Sequence, residues 1–387
     1  MPTTPLKNLL YRAALPFQAP SPRNQMRHTC TGQPVQHLSA YEHLLEHHHV
    51  LGASLLIDDG THRAQIYTST NAPAHIAGPE TMFRVASITK TATSLVTLMC
   101  IDEGLFNLET SVDSLLPRGN GSKQLQGRTV RQLLSHTSGL RDTAAFEAAL
   151  SKGQSFHDVL AGPGTCSGSP GQKMAYCNFG FGLLGCILEH VTGASIAELF
   201  QQKLFSPLGM RATMDASTLV ESCIMPISRV LPYRPGSDVT VTALGRHSIA
   251  QPDPLRHFGH TAGAMYTNAP SLARLLALVG GMGVIEGKRL VSAQLMQEMT
   301  SVQAFTKTRT YGLGLVLLER SKISDKRLLG HQGFAYGCVD GAFVEEGTGR
   351  MIVFLNGGAS EARTGRLGLV NQDVLRWALR KELPSWM

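Results

Sequence analysis

The sequence predicts an α+β fold in which strands from both ends of the chain form one antiparallel sheet flanked by helices. Two strand-like runs, Leu51–Ile57 and Arg63–Ser69, flank a turn at Asp58-Asp59-Gly60, a pattern typical of a β-hairpin. Strand-like runs with glycine-rich turns between them return near the C-terminus. The intervening chain is mostly helical, so we expect a helical subdomain inserted between the two groups of strands.

The other elements follow from the spacing of apolar residues. We expect helices at Tyr41–Val50, Lys90–Gly104 and Gln372–Lys381, and strands at Tyr311–Glu319, Cys338–Val344 and Met351–Asn356. The chain then divides into a basic N-terminal tail, residues 1–37, and a folded domain, residues 38–387. In that domain we assign residues 38–90 and 288–387 to the α/β part and residues 91–287 to the helical part.

Composition and charge narrow the class of protein. Of 387 residues, 43% are hydrophobic and 16% are charged, as in globular chains. No run approaches the roughly 18 apolar residues that a membrane-spanning helix needs, so we expect a soluble protein with no membrane span. The net charge of +7 comes from scattered Lys and Arg residues, which favours a solvated basic surface and no nucleic-acid partner.

The N-terminal segment is basic and contains no acidic residue before Glu42. Its best apolar stretch, Leu9–Leu15, is interrupted by Arg12, which argues against a secretory signal. The seven cysteines form no Cys-x-x-Cys pair, a pattern that suits free thiols in a reducing compartment. We therefore expect a cytoplasmic protein with a floppy tail, while organelle targeting and non-standard export stay open.

The first predicted helix raises the question of a metal site. His43 and His47 lie four residues apart, so one helix face could present two imidazoles. The other ligands of a known metal motif are missing, which favours a surface helix. We expect no metal and no cofactor.

Ser87-Ile88-Thr89-Lys90 is the first motif with chemical content, because it is the only Ser-x-x-Lys in the chain. It leads into an apolar helix, where residues three apart share a face, so the Lys90 amine can reach the Ser87 hydroxyl. A lysine whose pKa is lowered by burial can act as the base that activates a serine. Taken alone, the motif is weak, since a capping serine followed by a surface lysine has the same pattern.

Tyr176-Cys177-Asn178 is the second motif, and it precedes an apolar helix that starts near Gly180. The Tyr176 phenol could relay a proton to a leaving group, and the Asn178 amide could hold both Lys90 and a substrate carbonyl. Tyr266-Thr267-Asn268 has the same pattern, but Ala-Pro-Ser and a helix follow it, as after a structural N-cap. We therefore prefer Tyr176 to Tyr266.

His331-Gln332-Gly333 is the third motif, and it falls on a predicted strand of the C-terminal sheet. His331 can line a cleft as a hydrogen-bond donor or proton carrier. Gly333 would let a substrate backbone approach the strand closely.

The three motifs, in this order and spacing, resemble the class C β-lactamase-like family, which includes D-alanyl-D-alanine carboxypeptidases, serine esterases, D-aminopeptidases and acyl-transferring relatives. The connecting stretches Leu133–Leu140, Asn178–Gly185, Ser206–Met210 and Tyr311–Gly314 are similar to this family too. The resemblance covers about residues 40–385 and implies a β-lactamase/transpeptidase-like catalytic domain.

The resemblance also implies a mechanism. Ser87 would attack a carbonyl, and the backbone N–H groups of Ser87 and Phe334 would form an oxyanion hole. Lys90 and Tyr176 would take and return the proton, and an acyl-enzyme would form. Which of the two is the general base stays open, because coupled groups titrate as a unit.

The expected function is hydrolysis of an ester or of a D-amino-acid amide or peptide, so the partner is a small-molecule or peptide acyl substrate. His331 stands where the β-lactamases proper carry Lys, and a weaker hold on a β-lactam carboxylate makes antibiotic hydrolysis the lesser expectation. The alternatives are an acyltransferase of secondary metabolism with the same acyl-enzyme, and a weak β-lactamase or non-catalytic penicillin-binding-like protein. The sequence predicts neither the acyl and leaving groups nor the oligomeric state.

Overall fold

A nine-stranded antiparallel sheet organises the computed structural model of the chain. The structure describes residues 9–10, 13, 26–32, 38–70, 75–228, 230, 238–239, 248–308, 310–364 and 367–379. In chain order the strands are β1 Met26–Gly32, β2 Ala53–Asp58, β3 Arg63–Thr70, β4 Phe83–Arg84, β5 Ala212–Thr213, β6 Ile227–Ser228, β7 Asp238–Val239, β8 Tyr266–Thr267, β9 Val284–Ile285, β10 Lys288–Arg289, β11 Ala304–Phe305, β12 Thr310–Tyr311, β13 Val316–Leu318, β14 Leu328–Ala335, β15 Cys338–Glu345, β16 Met351–Asn356, β17 Arg363–Thr364 and β18 Leu367–Gly368.

The α-helices cover the sheet and fill the segment between its two groups of strands. They are α1 Leu38–His47, α2 Thr89–Asp102, α3 Val130–Leu134, α4 Ala144–Lys152, α5 Phe156–Ala161, α6 Asn178–Thr192, α7 Ile196–Phe200, α8 Ala269–Gly280, α9 Ala293–Thr300 and α10 Leu369–Ala378. Short 3₁₀ turns lie at Ala86–Ile88, Val112–Ser114, Ser122–Leu125, Ala216–Thr218, Glu221–Cys223 and His257–Gly259, and a π turn at Gln201–Phe205.

The predicted pairing of N- and C-terminal strands is confirmed. The sheet order is β1-β3-β2-β16-β15-β14-β13-β12-β11, so the N-terminal hairpin β2–β3 joins the C-terminal strands through β16. In the register, Ile57 lies opposite Ile352. Every residue of β2 is buried, because helices pack against both faces of the sheet.

The two faces of β2 divide the core. Ile57 belongs to an apolar cluster with Tyr41 of α1 and Trp377 of α10, whereas the neighbouring Leu56 belongs to the larger cluster that includes Leu272 of α8. This alternation is the period of two that a strand imposes on its side chains. The fold is therefore α+β, with the helical part of the chain packed on one face of the sheet.

Two elements differ from the sequence expectation. The strand predicted at Tyr311–Glu319 is instead the short pair β12 and β13, because Gly314, at φ +67°, turns the chain so that Tyr311 pairs with Val316. A side chain at Gly314 would meet Ser94 Oγ at 1.9 Å, so this turn accepts only glycine. At the other end, β1 lies within the predicted tail yet pairs with β3 along its whole length, although the boundary at residue 38 stays a prediction.

Two further properties of the described residues bear on the expected location. All seven cysteines are free, and four of them, Cys100, Cys177, Cys186 and Cys338, are buried. In the described part of the chain no single helix is long and apolar enough to cross a membrane, and only the pair Asn178–Thr192 and Ile196–Phe205, bent by 89°, meets that length and composition when combined.

Candidate active site

The Ser87 turn connects β4 to α2. Ala86 has φ +44°, a left-handed conformation that an alanine adopts only when its surroundings hold it there. The Thr89 hydroxyl donates to the Ala86 carbonyl at 2.6 Å, and it accepts the Met265 N–H at 3.2 Å. These bonds fix the turn, so that Ser87 lies half-buried two residues before α2 begins.

Lys90 is fully buried one turn further along, and its amine has three polar neighbours. Nζ lies 3.2 Å from Ser87 Oγ, 2.8 Å from Asn178 Oδ1 and 2.7 Å from the Ala262 carbonyl oxygen. Burial lowers the pKa of Lys90 from 10.5 to about 7, against the opposing effect of the Asp142 carboxylate.

A neutral amine satisfies all three neighbours of Lys90 at once. Its two N–H groups can donate to Asn178 Oδ1 and to the Ala262 carbonyl, which are both pure acceptors. Its lone pair then faces Ser87, the one neighbour whose hydroxyl can donate. The geometry therefore supports proton transfer from Ser87 to Lys90.

Tyr176 lies beside this pair at the start of α6. Lys90 Nζ is 4.9 Å from the centroid of its ring, and the His136 ring packs on it at 4.3 Å. His136 has φ +60° and accepts the Cys177 N–H at Nδ1 over 3.2 Å, so a strained histidine supports the motif. The preference for Tyr176 over Tyr266 agrees with this geometry, because Tyr266 is buried in β8 and Asn268 caps α8 by accepting the Ser271 N–H at 3.0 Å.

The third motif lies on β14, as the sequence predicts. His331 is buried, and its Nδ1 lies 2.6 Å from the Gln332 carbonyl oxygen. Because a carbonyl only accepts, Nδ1 carries the hydrogen in this arrangement. The His331 and Tyr176 ring centroids are 6.3 Å apart, which connects the second and third motifs.

Gly333 lies close to the backbone that precedes Ser87. A Cβ at this position would lie 2.4 Å from the Val85 carbonyl oxygen, so this packing requires glycine, while the expected approach of a substrate stays a prediction. The next residue, Phe334, is half-buried, and the Arg363 guanidinium stacks 3.6 Å from its ring centroid. The strand that carries Gly333 therefore packs directly against the turn that holds Ser87.

The structure thus brings Ser87, Lys90, Tyr176 and Asn178 into contact and packs β14 against them. The sequence analysis missed two groups, the Ala262 carbonyl and the Asp142 carboxylate. A backbone carbonyl leaves no mark in a sequence. Asp142 had a weak signal, because it follows the family-like stretch Leu133–Leu140 by two residues.

Comparisons with known proteins show the family to which the chain belongs. A family model described as Beta-lactamase matches residues 39–371. Penicillin-binding protein 4 of Amycolatopsis lactamdurans is 30% identical over 184 residues, which are 45% of this chain and 47% of that protein. The matched segment therefore spans about half the length of that curated relative.

Solved structures match over more of the chain. The D-stereospecific amidohydrolase from Streptomyces sp. superposes with a TM-score of 0.63 and 25% identity, covering 84% of this chain and 93% of that one. The D-amino acid amidase from Ochrobactrum anthropi SV3 gives a TM-score of 0.64 and 22% identity, covering 85% and 95%, and shows the shared fold. With its family model matched over most of its length, the chain belongs to the Beta-lactamase family of serine hydrolases.

Proposed function

We propose that this protein hydrolyses esters or D-amino-acid amides through an acyl-enzyme on Ser87. The observation that carries the proposal is the buried Lys90 amine, which lies 3.2 Å from Ser87 Oγ and whose pKa is lowered to about 7. A substantial fraction of this amine is neutral at neutral pH, which is what a general base for a serine requires.

The reaction proceeds in two balanced halves. The Ser87 proton passes to Lys90 as Oγ bonds to the substrate carbonyl carbon, and the carbonyl oxygen takes the negative charge. The N–H groups of Ser87 and Phe334 stabilise that oxyanion, with each such donor contributing about 3 kcal/mol. Tyr176 passes the proton from Lys90 to the leaving amine or alcohol, which departs and leaves the acyl group on Ser87. A water molecule then attacks the acyl carbon as its proton passes through Tyr176 to Lys90, and the bond to Ser87 Oγ breaks as that proton returns to Oγ and the acid is released.

The substrate class is inferred from the neighbours and from His331. The amidohydrolase at 25% identity is described as D-stereospecific, and it covers nearly the whole catalytic fold. Position 331 holds a histidine, which, unlike the lysine of the β-lactamases proper, is not a permanent cation for a β-lactam carboxylate. Both observations favour a small D-amino-acid amide or ester over an antibiotic.

The test compares wild-type protein with Ser87→Ala on p-nitrophenyl acetate and on the D- and L-enantiomers of phenylalanine amide. Ser94→Ala is the matched control, because Ser94 lies on the same helix and is buried with its Oγ beside Gly314. Of the two variants, we expect only Ser87→Ala to abolish turnover and labelling by a fluorophosphonate probe. We expect wild-type protein to prefer the D-amide. Turnover that survives Ser87→Ala would contradict the proposal, and acylated products with added amines would indicate acyl transfer.

A further inference from the structure

The carboxylate of Asp142 caps the first turn of α6, and both of its oxygens accept hydrogen bonds there. Its Oδ2 accepts the backbone N–H of Asn178 at 3.0 Å and the side-chain Nδ2–H of Asn178 at 2.8 Å. Its Oδ1 accepts the Phe179 N–H at 2.9 Å, and the Cys177 thiol lies 3.4 Å away. This carboxylate therefore serves as the cap that the helix needs.

The bond to Nδ2 has a consequence for the catalytic amine. The oxygen and the nitrogen of a side-chain amide lie in one plane and point to opposite sides of the Cβ–Cγ bond. Once Nδ2 is held by Asp142, Oδ1 of Asn178 must point the other way, where it lies 2.8 Å from Lys90 Nζ. We propose that Asp142 is a positioning residue that fixes the orientation of the Asn178 amide and thereby aims the Lys90 amine at Ser87. This inference rests on the proposed acyl-enzyme function.

Asp142 also acts on Lys90 through its charge. The other titratable neighbours are Tyr176, whose ring faces Nζ at 4.9 Å, and Cys177, whose thiol pKa is raised by burial and by Asp142 itself. His136 and His331 pack against the Tyr176 ring, with ring centroids 4.3 Å and 6.3 Å away. The Asp142 carboxylate is the leading charge that raises the pKa of Lys90, against the larger effect of burial.

The two effects of Asp142 predict a signature in the pH profile. Neutral Lys90 is the active form, so the rate falls on the acidic side as Lys90 is protonated. Removing the carboxylate charge destabilises the ammonium, and the acidic limb moves to lower pH. A role in folding alone would lower the active fraction equally at every pH and leave the limb where it is.

The experiment measures the rate of Ser87 labelling by a fluorophosphonate probe between pH 5 and 9 in the full chain, normalised to active protein by mass spectrometry. For Asp142→Asn we expect a loss of about 10- to 100-fold at the plateau, as for a small misplacement of a catalytic group, and a limb at lower pH. For Asp142→Glu, which keeps the charge and displaces the amide, we expect a similar loss with an unmoved limb. Asp102→Asn is the control, since Asp102 also accepts a backbone N–H, that of Ser292 at 2.7 Å, at the opposite end of α2.

Three outcomes overturn the inference. Plateau rates of both Asp142 variants within about twofold of wild type would show that the amide needs no anchor. An Asp142→Asn loss with an unmoved limb would show a structural role alone. If Asp142→Asn does not fold, an Asp142→Glu rate equal to wild type overturns it. Absence of Ser87-dependent labelling in wild-type protein would instead refute the proposed function, and the inference with it.

Discussion

Two Tyr-x-Asn tripeptides precede two helices in this chain, and the structure uses their asparagines differently. Asn268 is the N-cap of α8, and its Oδ1 accepts the Ser271 N–H. Asn178 is already the first residue of α6, and its Oδ1 accepts from Lys90. The difference lies in which residues cap the helix. In α6, the backbone N–H groups of the first turn donate to the Asp142 carboxylate and to the Cys177 sulfur, which accepts the Gly180 N–H at 3.3 Å.

The comparison teaches that the Asn178 amide can contact Lys90 because another residue, Asp142, caps the helix in its place. Asn side chains at helix starts are drawn to the free backbone N–H groups there. Supplying those groups with the Asp142 carboxylate leaves the Asn178 oxygen available for Lys90. The same Tyr-x-Asn pattern therefore gives a helix cap in one place and a contact with Lys90, in the candidate active site, in the other.

The largest difference in kcat/KM should be between variants of the two tyrosines. We expect Tyr176→Phe to lower kcat/KM by about 10²- to 10⁴-fold, because proton relay to the leaving group is lost. Tyr266→Phe should leave kcat/KM within about twofold of wild type, since Tyr266 is buried in β8. Steady-state kinetics on p-nitrophenyl acetate measure both, and equal losses in the two variants would remove the distinction between the motifs.

The next largest difference in kcat/KM should be between variants of the two asparagines. We expect Asn178→Ala to lower kcat/KM by about 100-fold with little change in the free energy of unfolding, because Asp142 and Cys177 still cap α6. The check is kinetics together with urea denaturation on one preparation. A large loss of stability with normal activity in the surviving folded protein would reverse the assignment.

The pH profile should show Lys90 directly. Because burial lowers the pKa of Lys90 to about 7, the neutral base is lost as the pH falls below that value. We expect kcat/KM to be flat above about pH 8 and to decrease tenfold per pH unit well below pH 7. A profile that keeps its full rate at pH 5 would exclude Lys90 as the group that must be neutral.

The smallest effect belongs to the structural motif. Asn268→Ala should lower the free energy of unfolding by about 1 kcal/mol, the typical contribution of an N-cap, with kcat/KM unchanged at temperatures where the protein is folded. Thermal and urea unfolding of this variant beside Asn178→Ala measure the contrast. A drop in kcat/KM without a loss of stability would place Asn268 in the catalytic machinery.

The fold was largely predictable because its signals are local. The β2–β3 hairpin has a turn that its sequence specifies, and Met351–Asn356 is a strand with the predicted bounds. The Tyr311–Glu319 run misled because apolar residues on both sides of a glycine turn look like one strand. The pairing of β1 was missed because its polar, basic sequence has exposed side chains and no apolar alternation.

The site was predictable only where side chains carry the chemistry. Their residue types and spacing singled out Ser87, Lys90 and Tyr176, which the structure brings together, and their catalytic roles stay predictions. The Ala262 carbonyl and the strained Ala86 could not be predicted, because both depend on how the tertiary structure bends the backbone rather than on residue type. Asp142 was missed for a related reason, since an aspartate in a loop acquires its role only when the start of α6 is brought beside it.

The contact between Gly333 and the Val85 carbonyl has a consequence for the order of folding during synthesis. The turn that holds Ser87 is made early in synthesis, whereas the strand seated on it belongs to the last part of the chain. A nascent chain that ends before β14 still lacks the strand that packs against this turn. The turn at Ser87 can therefore gain this support only after most of the chain has been synthesised.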